Sequence, residues 1–356
     1  MLELWSPGRA FERIEAYLAE HGFFAPGGEE LTADVFLGYG LSQVLRRNPA
    51  PPPPEPCPVP LAVCSVRRPE YVVSDDDRAP SGFRVGEWAC TWTAAEYAAA
   101  VEDVRSAIAR GDVYQVNLVQ HLSAPFAGDP GALAAPLALL SPHNREPLRG
   151  DQWAIVSASP ELFLARRGRR ISTMPVKGTR PLGGETELLE SEKDAAEHVM
   201  IVDLERNDLS RVCEPGSVRW PELMVERPLA GVSHLVSTVE GTLREDVGLA
   251  ELLAAMFPGG SVTGAPKIAA VDQIAALEPV GRGASMGALG RVRGNGDLDL
   301  SLTIRTFVVA NGRIHLWVGG GIVWDSDPAD EVEESWTKAR PLLEAIGARL
   351  PESVRR

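Results

Sequence analysis

The 356-residue chain has little of what marks several large protein classes. It has four cysteines, Cys57, Cys64, Cys90 and Cys213, and none forms a C-x-x-C pair or has zinc-ligand spacing. A dithiol redox centre and a structural zinc module are therefore not indicated, and the four read as reduced thiols. Lys and Arg number 35 against 49 Asp and Glu, for a formal net charge of -14, and they form no cluster long enough for a nucleic-acid stripe. Nucleic acids and anionic membranes are excluded as expected partners, although an acidic protein can still hold an anionic small molecule in a locally positive pocket. No apolar run approaches a membrane span. The first residues, MLELWSPGRAFERIEAYL, lack the charged-then-apolar pattern of a secretory signal, so a cytoplasmic protein is expected. The stretch FPGGSVTGAPK (Phe257 to Lys267) has the glycine spacing of a phosphate loop, but Ala265 stands where that loop needs lysine. No Ser-His-Asp order and no nucleotide fingerprint is present.

What is there is ordinary globular composition, 44% hydrophobic and 24% charged, enough for a sizeable core. A helix is expected around Arg9 to His21. The run PAPPPPEPCPVP (Pro49 to Pro60) reads as an extended spacer or surface arm, and SDDDRAPSG (Ser74 to Gly82) as a solvated loop. Thr93-x-x-Glu96 is a capping box, followed by Tyr97, Val101, Val104 and Ile108 at helical spacing and stopped by Gly111. VYQVNLVQHL (Val113 to Leu122) alternates, with Gln115, Asn117 and His121 on a polar face that suits a sheet edge or a site wall. Further helices are expected from about Glu187 to Leu209, near Pro266 and near Pro328. Strands are not each followed by a helix and no repeat is visible, so the fold class is α+β rather than a doubly wound parallel sheet. Residues 1-90 form a short N-terminal region containing the proline run, and 91-350 the main domain.

Several residue groups could carry chemistry. MPVKGTRP (Met174 to Pro181) is a tight turn with Lys177 at its middle. Glu197 lies on a helix with Met200, Ile201 and Leu204, an apolar stripe on which a carboxylate is costly unless paired or metal-bound; the plainer reading is a partly exposed residue at the stripe edge. Asp327 caps a helix on which Glu331, Glu334 and Lys338 share a face, either a solvated ion-paired face or part of an Mg²⁺ site. Ser261 and Thr263 put hydroxyls on the Gly-rich turn. Arg305 lies in LSLTIRTFVV, read as one strand with Ser301, Thr303 and Phe307 on its face; it suits a buried acid or a substrate carboxylate. GGGIV (Gly319 to Val323) permits close backbone approach. Taken together, these make an anionic-ligand site.

The stretches SASPELF, MPVKGTRP, AEHVMIVDLERNDLSRV, PGSV, VSHLVSTVEG, FPGGSVTGAPK, DLDLSLTIRT, GGGIVWDS and EVEESWTKA follow in order from about Trp92 to Ala348. In them the chain resembles the chorismate-utilising enzymes, and within that family the aminodeoxychorismate synthases, component I. The resemblance implies one large chorismate-binding domain of two mainly antiparallel sheets packed as a sandwich with helices outside. It implies that Lys177, in the position that is usually Ala in anthranilate synthases, attacks C2 of chorismate, and that Glu161 protonates the departing C4 hydroxyl. Gly178, Thr179, His234, Ser261, Arg305, Gly319, Gly320, Gly321 and Lys338 match substrate contacts. Glu197, Glu331 and Glu334 match ligands of Mg²⁺. YQVNL resembles the same branch, with Gln115 where isochorismate and salicylate synthases carry a water-activating lysine. Ammonia is expected from a glutamine amidotransferase subunit, since this chain shows no such domain, and the product would serve p-aminobenzoate and folate supply. An anthranilate synthase component I and a catalytically silent binding paralogue are the alternatives.

Two departures stand out. Ser285 occupies a position that is usually aromatic in relatives, which reshapes the expected pyruvyl pocket. The N-terminal region is short, and the LLES at Leu188 to Ser191 lies too late to be the tryptophan-pocket strand of feedback-inhibited relatives, so no tight tryptophan binding is expected. An amine attacks only when neutral, so Lys177 is expected to have a lowered pKa, through burial and a nearby cation.

Overall fold

The computed structural model describes residues 1–67, 82–181, 192–229 and 232–349. The side chains at 178–181, 192–194, 228–229 and 232–234 are not described. The acidic loop expected at Ser74 to Gly82 and the LLES stretch fall outside the described residues, apart from Gly82.

Helices α1 (Ala10–Glu20), α2 (Ala94–Ala109), α3 (Ala134–Leu137), α4 (Glu192–Ser210), α5 (Leu249–Met256), α6 (Lys267–Leu277) and α7 (Pro328–Ala345) surround two sheets. In α2 the capping box forms in both directions: Thr93 accepts from the Glu96 amide and Glu96 accepts from the Thr93 amide. Its Tyr97, Ala100, Val101 and Val104 are buried, and Gly111 ends the segment at φ 79°. In α7 the Asp327 side chain accepts from the amides of Ala329 and Asp330. The run Leu249 to Met256, almost wholly apolar, is a helix that its short buried pattern does not distinguish from a strand.

Every strand pair among the described residues is antiparallel. The first sheet runs in the order Leu2–Leu4, Ala62–Arg67, Thr32–Leu37, Ala288–Arg293, Leu298–Leu302, Leu162–Arg167, Arg170–Met174, Val232–Thr242 and Val176–Pro181, with Arg219–Leu229 also paired to Val232–Thr242. The second runs Gly264–Ala265, Gln115–Gly128, Arg313–Ile322, Thr306–Ala310, Trp153–Ser157 and Leu148–Arg149, with Phe83–Val85 and Ala89–Cys90 also paired to Gln115–Gly128. One apolar cluster joins both sheets, through Val35, Leu164 and Leu300 of the first and Leu118, Ile155 and Val308 of the second. A second cluster lies under α7 and α3, where Phe307, Val309 and Leu316 meet Trp336, Leu342 and Leu137. Thr306–Ala310 thus alternates between two cores and is buried at all five positions. The α+β sandwich with helices outside is the observed fold.

Four details depart from the sequence reading. MPVKGTRP is not a tight turn: Val176–Pro181 is a strand paired with Val232–Thr242, with a register shift between Lys177 and Thr179. LSLTIRTFVV is two strands in two different sheets, broken at Thr303 to Arg305, where Arg305 takes φ 49°. Arg305 therefore does not share a strand face with Ser301, Thr303 and Phe307; the chain changes sheet there. The polar face of Val113 to Leu122 is not at an edge: Gln115, Asn117 and His121 are all buried, in a strand flanked on both sides, and Tyr114 stays outside it and exposed. The proline arm has no helix or strand, as its composition dictates, but it is not merely on the surface. Cys57 and Val59 are buried, the Gly281 amide donates to Pro54 O at 2.9 Å, and the Gly283 amide to Glu55 at 2.9 Å. None of the four cysteines is paired.

Candidate active site

Four segments distant in sequence meet where the two sheets approach each other. The strand Val176–Pro181 supplies Lys177, α4 supplies Glu197, the start of Gln115–Gly128 supplies Gln115, and the Gly259–Gly264 turn supplies Ser261. Lys177 Nζ donates to Glu197 Oε1 at 2.8 Å and reaches Ser261 O at 3.5 Å. Gln115 Nε2 donates to the same Glu197 oxygen at 2.8 Å. Ser261 Oγ donates to Glu161 Oε1 at 2.9 Å, and the Val176 amide faces that oxygen at 3.5 Å. Glu161, buried to 5% exposure, thus meets the lysine strand at Val176, the residue before Lys177, on one side and the Gly-rich turn at Ser261 on the other.

The electrostatics correct one expectation. Burial alone lowers the proton affinity of Lys177, but the charges of Glu197, Glu161 and Glu334 and the hydrogen bond to Glu197 outweigh it, so the pKa is raised. Burial likewise opposes ionisation of Glu197, yet Lys177, Lys338 and Gln115 hold its carboxyl below the usual range. Glu197 is partly exposed, its side chain at 15%, as the plain reading has it, and it is also ion-paired to Lys177. Glu161 behaves oppositely. Desolvation raises its pKa against the pull of Lys177, Ser261 and Arg305, so its surroundings disfavour the ionised form. Arg305 forms no ion pair among the described residues; burial lowers its proton affinity and Glu161 is the charge that opposes this. A half-buried guanidinium in this state is open to a carboxylate from outside the chain.

The strand Arg313–Ile322 lays its glycines along the cluster. A Cβ on Gly321 would meet Gln115 Nε2 at 2.0 Å and Glu197 Oε1 at 2.7 Å. A Cβ on Gly320 would lie 3.0 Å from Glu334 Oε1 and 3.2 Å from Glu331 Oε2. A Cβ on Gly319 would run into Leu118 O at 1.9 Å, so its role in the fold is close strand pairing. Lys338 donates to Gly319 O at 2.9 Å and to Glu334 at 2.7 Å. On α7 the expected solvated face is split: Glu334 and Lys338 form a half-exposed pair, while Glu331 is buried to 3%. Gly178, Thr179 and His234 lie on paired strands, with Thr179 opposite His234 in register, but their side chains are not among those described. Ser285 is fully buried, with its hydroxyl on Thr303 O at 3.3 Å.

The carboxylates Glu197, Glu331 and Glu334 are hard oxygen donors, the type Mg²⁺ takes, and the missing side chain at Gly320 leaves the room in which two of them lie. They fit such an ion in donor chemistry. They are not gathered for one as they stand: no group of three acidic, His or Cys side chains among the described residues is close enough to hold a metal, and Glu197 and Glu334 each hold a lysine.

Sequence reasoning passed over three parts of this site. Gln115 was noted for its alignment, not as a donor to Glu197. Glu205 and Asp208 extend the Glu197 face of α4 at i+8 and i+11, a helical spacing that could have found them. The buried pair Glu278–Arg282 has the local spacing i, i+4, but its burial depends on remote partners, Val262 and Asn117, that the spacing does not show.

Comparison with known proteins gives the following. The chorismate binding enzyme family matches residues 62–344. The anthranilate synthase component 1 of Streptomyces coelicolor is 40% identical over 86% of this chain and 59% of its own length. The aminodeoxychorismate synthase component 1 of Klebsiella aerogenes is 42% identical over 73% of this chain and 59% of its own. This chain therefore spans about three fifths of the curated relatives it matches. The solved anthranilate synthase component I of Streptococcus pneumoniae superposes with a TM-score of 0.74 at 27% identity, covering 87% of this chain and 80% of that one. An isochorismate synthase structure from Bacillus anthracis shares the fold, with a TM-score of 0.72, 24% identity and 98% of this chain covered. No helix among the described residues is long and apolar enough to cross a membrane.

Proposed function

Because the chain belongs to the chorismate-binding enzyme family, we propose that it aminates chorismate at C4, giving 4-amino-4-deoxychorismate for p-aminobenzoate and folate supply. The observation that carries this reading is Lys177, a primary amine with its Nζ 2.8 Å from Glu197 and one hydrogen-bonded step, through Ser261, from Glu161, a carboxyl whose ionised form burial disfavours. An amine and a carboxylic acid facing one space are what a displacement at one carbon with loss of hydroxide at another requires.

In this scheme neutral Lys177 forms a bond to C2 as the ring double bonds shift and the C4–O bond breaks. Glu161 gives its proton to the departing hydroxyl, which leaves as water. Ammonia then bonds to C4, the double bonds shift back, and the C2–N bond to Lys177 breaks. The proton lost by the new ammonium returns to Glu161, and Lys177 leaves as the amine it began as. Arg305, with the Gly319–Gly321 backbone, would hold the enolpyruvyl carboxylate, and Gly178, Thr179, His234, Ser261 and Lys338 would complete the substrate contacts. Glu197, Glu331 and Glu334 would hold Mg²⁺. When bound, that ion would supply positive charge beside the ring carboxylate. Lys177 is cationic while Glu197 holds it, so the reaction begins from a state in which that grip is relaxed. Ammonia would come from a glutamine amidotransferase subunit, in keeping with the component 1 names of the relatives.

Anthranilate formation is the second reading, favoured by the S. coelicolor relative, whose match extends over 86% of this chain. Incubation with chorismate, Mg²⁺ and ammonium, with the product identified by mass spectrometry, separates the two. 4-Amino-4-deoxychorismate with little pyruvate is expected; anthranilate as the main product refutes the proposal.

A further inference from the structure

Helix α4 touches the site twice. Glu197, near its start, holds Lys177. Eight residues on, about 12 Å along the axis, Glu205 accepts a hydrogen bond from the Gly260 amide at 3.2 Å. Gly260 opens the turn whose next residue, Ser261, donates to Glu161 and offers its carbonyl to Lys177. The preceding Leu204 closes on the same spot, since a Cβ on Gly260 would lie 2.6 Å from Leu204 Cδ2. At the far end of the turn Lys267 is held by Asp208 of the same helix and by Met256 O at 3.2 Å.

Glu205 is a poor choice for packing alone. It is 3% exposed, and its second oxygen, Oε2, has no hydrogen-bond partner among the described residues. Burial and the neighbouring Asp208 both raise its pKa, so its surroundings disfavour the ionised form. An apolar side chain of similar size would remove that cost. What the carboxyl provides and an apolar group cannot is an acceptor for the Gly260 amide.

We propose that Glu205 is a positioning residue: from α4 it fixes the Gly260 amide and so keeps Ser261 in reach of Glu161 and Lys177 together. One rigid helix then sets both the amine and the proton donor. Glu205 touches no substrate in this arrangement and acts through Ser261. The inference about turnover rests on the proposed chorismate chemistry; the inference about the turn does not.

The test compares wild type with Glu205→Leu, which removes the acceptor, and Glu205→Gln, which keeps a carbonyl acceptor. Hydrogen–deuterium exchange over residues 259–263, measured without substrate, should quicken by about tenfold or more in the leucine variant, the loss of about one hydrogen bond, and stay near wild type in the glutamine variant. With chorismate and ammonium, kcat of the leucine variant should fall by roughly 10- to 100-fold, the range a misplacement of about 1 Å produces. Its KM should hold within about threefold, its melting temperature should not fall, and Glu205→Gln should restore turnover. Wild-type exchange in Glu205→Leu, or quickened exchange with unchanged kcat, overturns the proposal. So does a leucine variant that loses activity and melting temperature together and is not rescued by glutamine. If wild type itself leaves chorismate unchanged, the functional reading fails and the exchange measurement alone decides the role of Glu205.

Discussion

Replacing Arg282 by methionine strips the ion pair that holds the back of the site. Arg282 and Glu278 are 1% and 2% exposed at their side chains and 2.6 Å apart. The guanidinium also donates to Val262 O at 2.8 Å and Asn117 O at 2.7 Å, and lies 4.3 Å over the Tyr39 ring. Arg282→Met keeps much of the apolar volume but leaves Glu278 buried with the Val119 amide, at 3.0 Å, as its remaining donor among the described residues. Losing one partner of a buried pair costs about 3–5 kcal/mol. The two orphaned carbonyls could add ~1–3 kcal/mol each, but uptake of a proton by Glu278 caps the total, so ~3–5 kcal/mol is the expected loss in urea unfolding at pH 7.

That cap has a sign that can be measured. Burial already raises the pKa of Glu278, and without Arg282 it rises further above the unfolded value of about 4.3. A group whose folded pKa is raised contributes its stability below the unfolded pKa and loses it as pH climbs to the folded one. The deficit of Arg282→Met relative to wild type should therefore widen as pH rises above the raised wild-type pKa of Glu278, by at most ~1.4 kcal/mol per unit. The double variant Arg282→Met/Glu278→Leu removes both charges and should be more stable than Arg282→Met alone. A single variant that loses less than about 1 kcal/mol, or a double variant no better than the single, refutes the reasoning.

Lys177→Ala should abolish most formation of the C4-aminated product while circular dichroism stays native; near wild-type output at C4 removes the covalent role. Glu197→Gln and Glu334→Gln should each raise the Mg²⁺ concentration needed for half-maximal rate, and an unchanged metal response in both variants counts against these ligands. The buried pair His121–His315, 3.0 Å apart, has pKa values depressed to about 3 and about 4, chiefly by burial. Its stabilisation is present above the unfolded value of about 6.5 and lost as pH falls towards 3–4. Acid unfolding should therefore shift to lower pH in His121→Asn/His315→Gln, and an unshifted midpoint contradicts this. Free tryptophan should show no saturable micromolar binding by calorimetry. The groove beside Thr32–Leu37 is lined by Asp34, Arg67, Glu146 and Arg291 rather than by the apolar wall an indole needs, and tight binding would show that another part of the chain closes a pocket.

Local chemistry was legible from the residues alone. Capping is settled within a few positions, so Thr93 with Glu96 and Asp327 with its helix start could be read directly. The α+β class followed from the order of elements, and the motifs from Ser157 to Ala339 identified the family and pointed to Lys177, Glu161 and Glu197. Tertiary structure decided what depends on partners far along the chain. Arg305 sits at a crossing between sheets, which an apparent single strand conceals. Glu331 is buried although helical spacing groups it with the exposed Glu334 and Lys338. The charge of Lys177 is set by Glu197, 20 residues away, and the place of Ser261 by Glu161, 100 residues away. Burial and Coulomb partners are properties of the assembled fold: a sequence shows which side chains can ionise, and only packing shows what surrounds them.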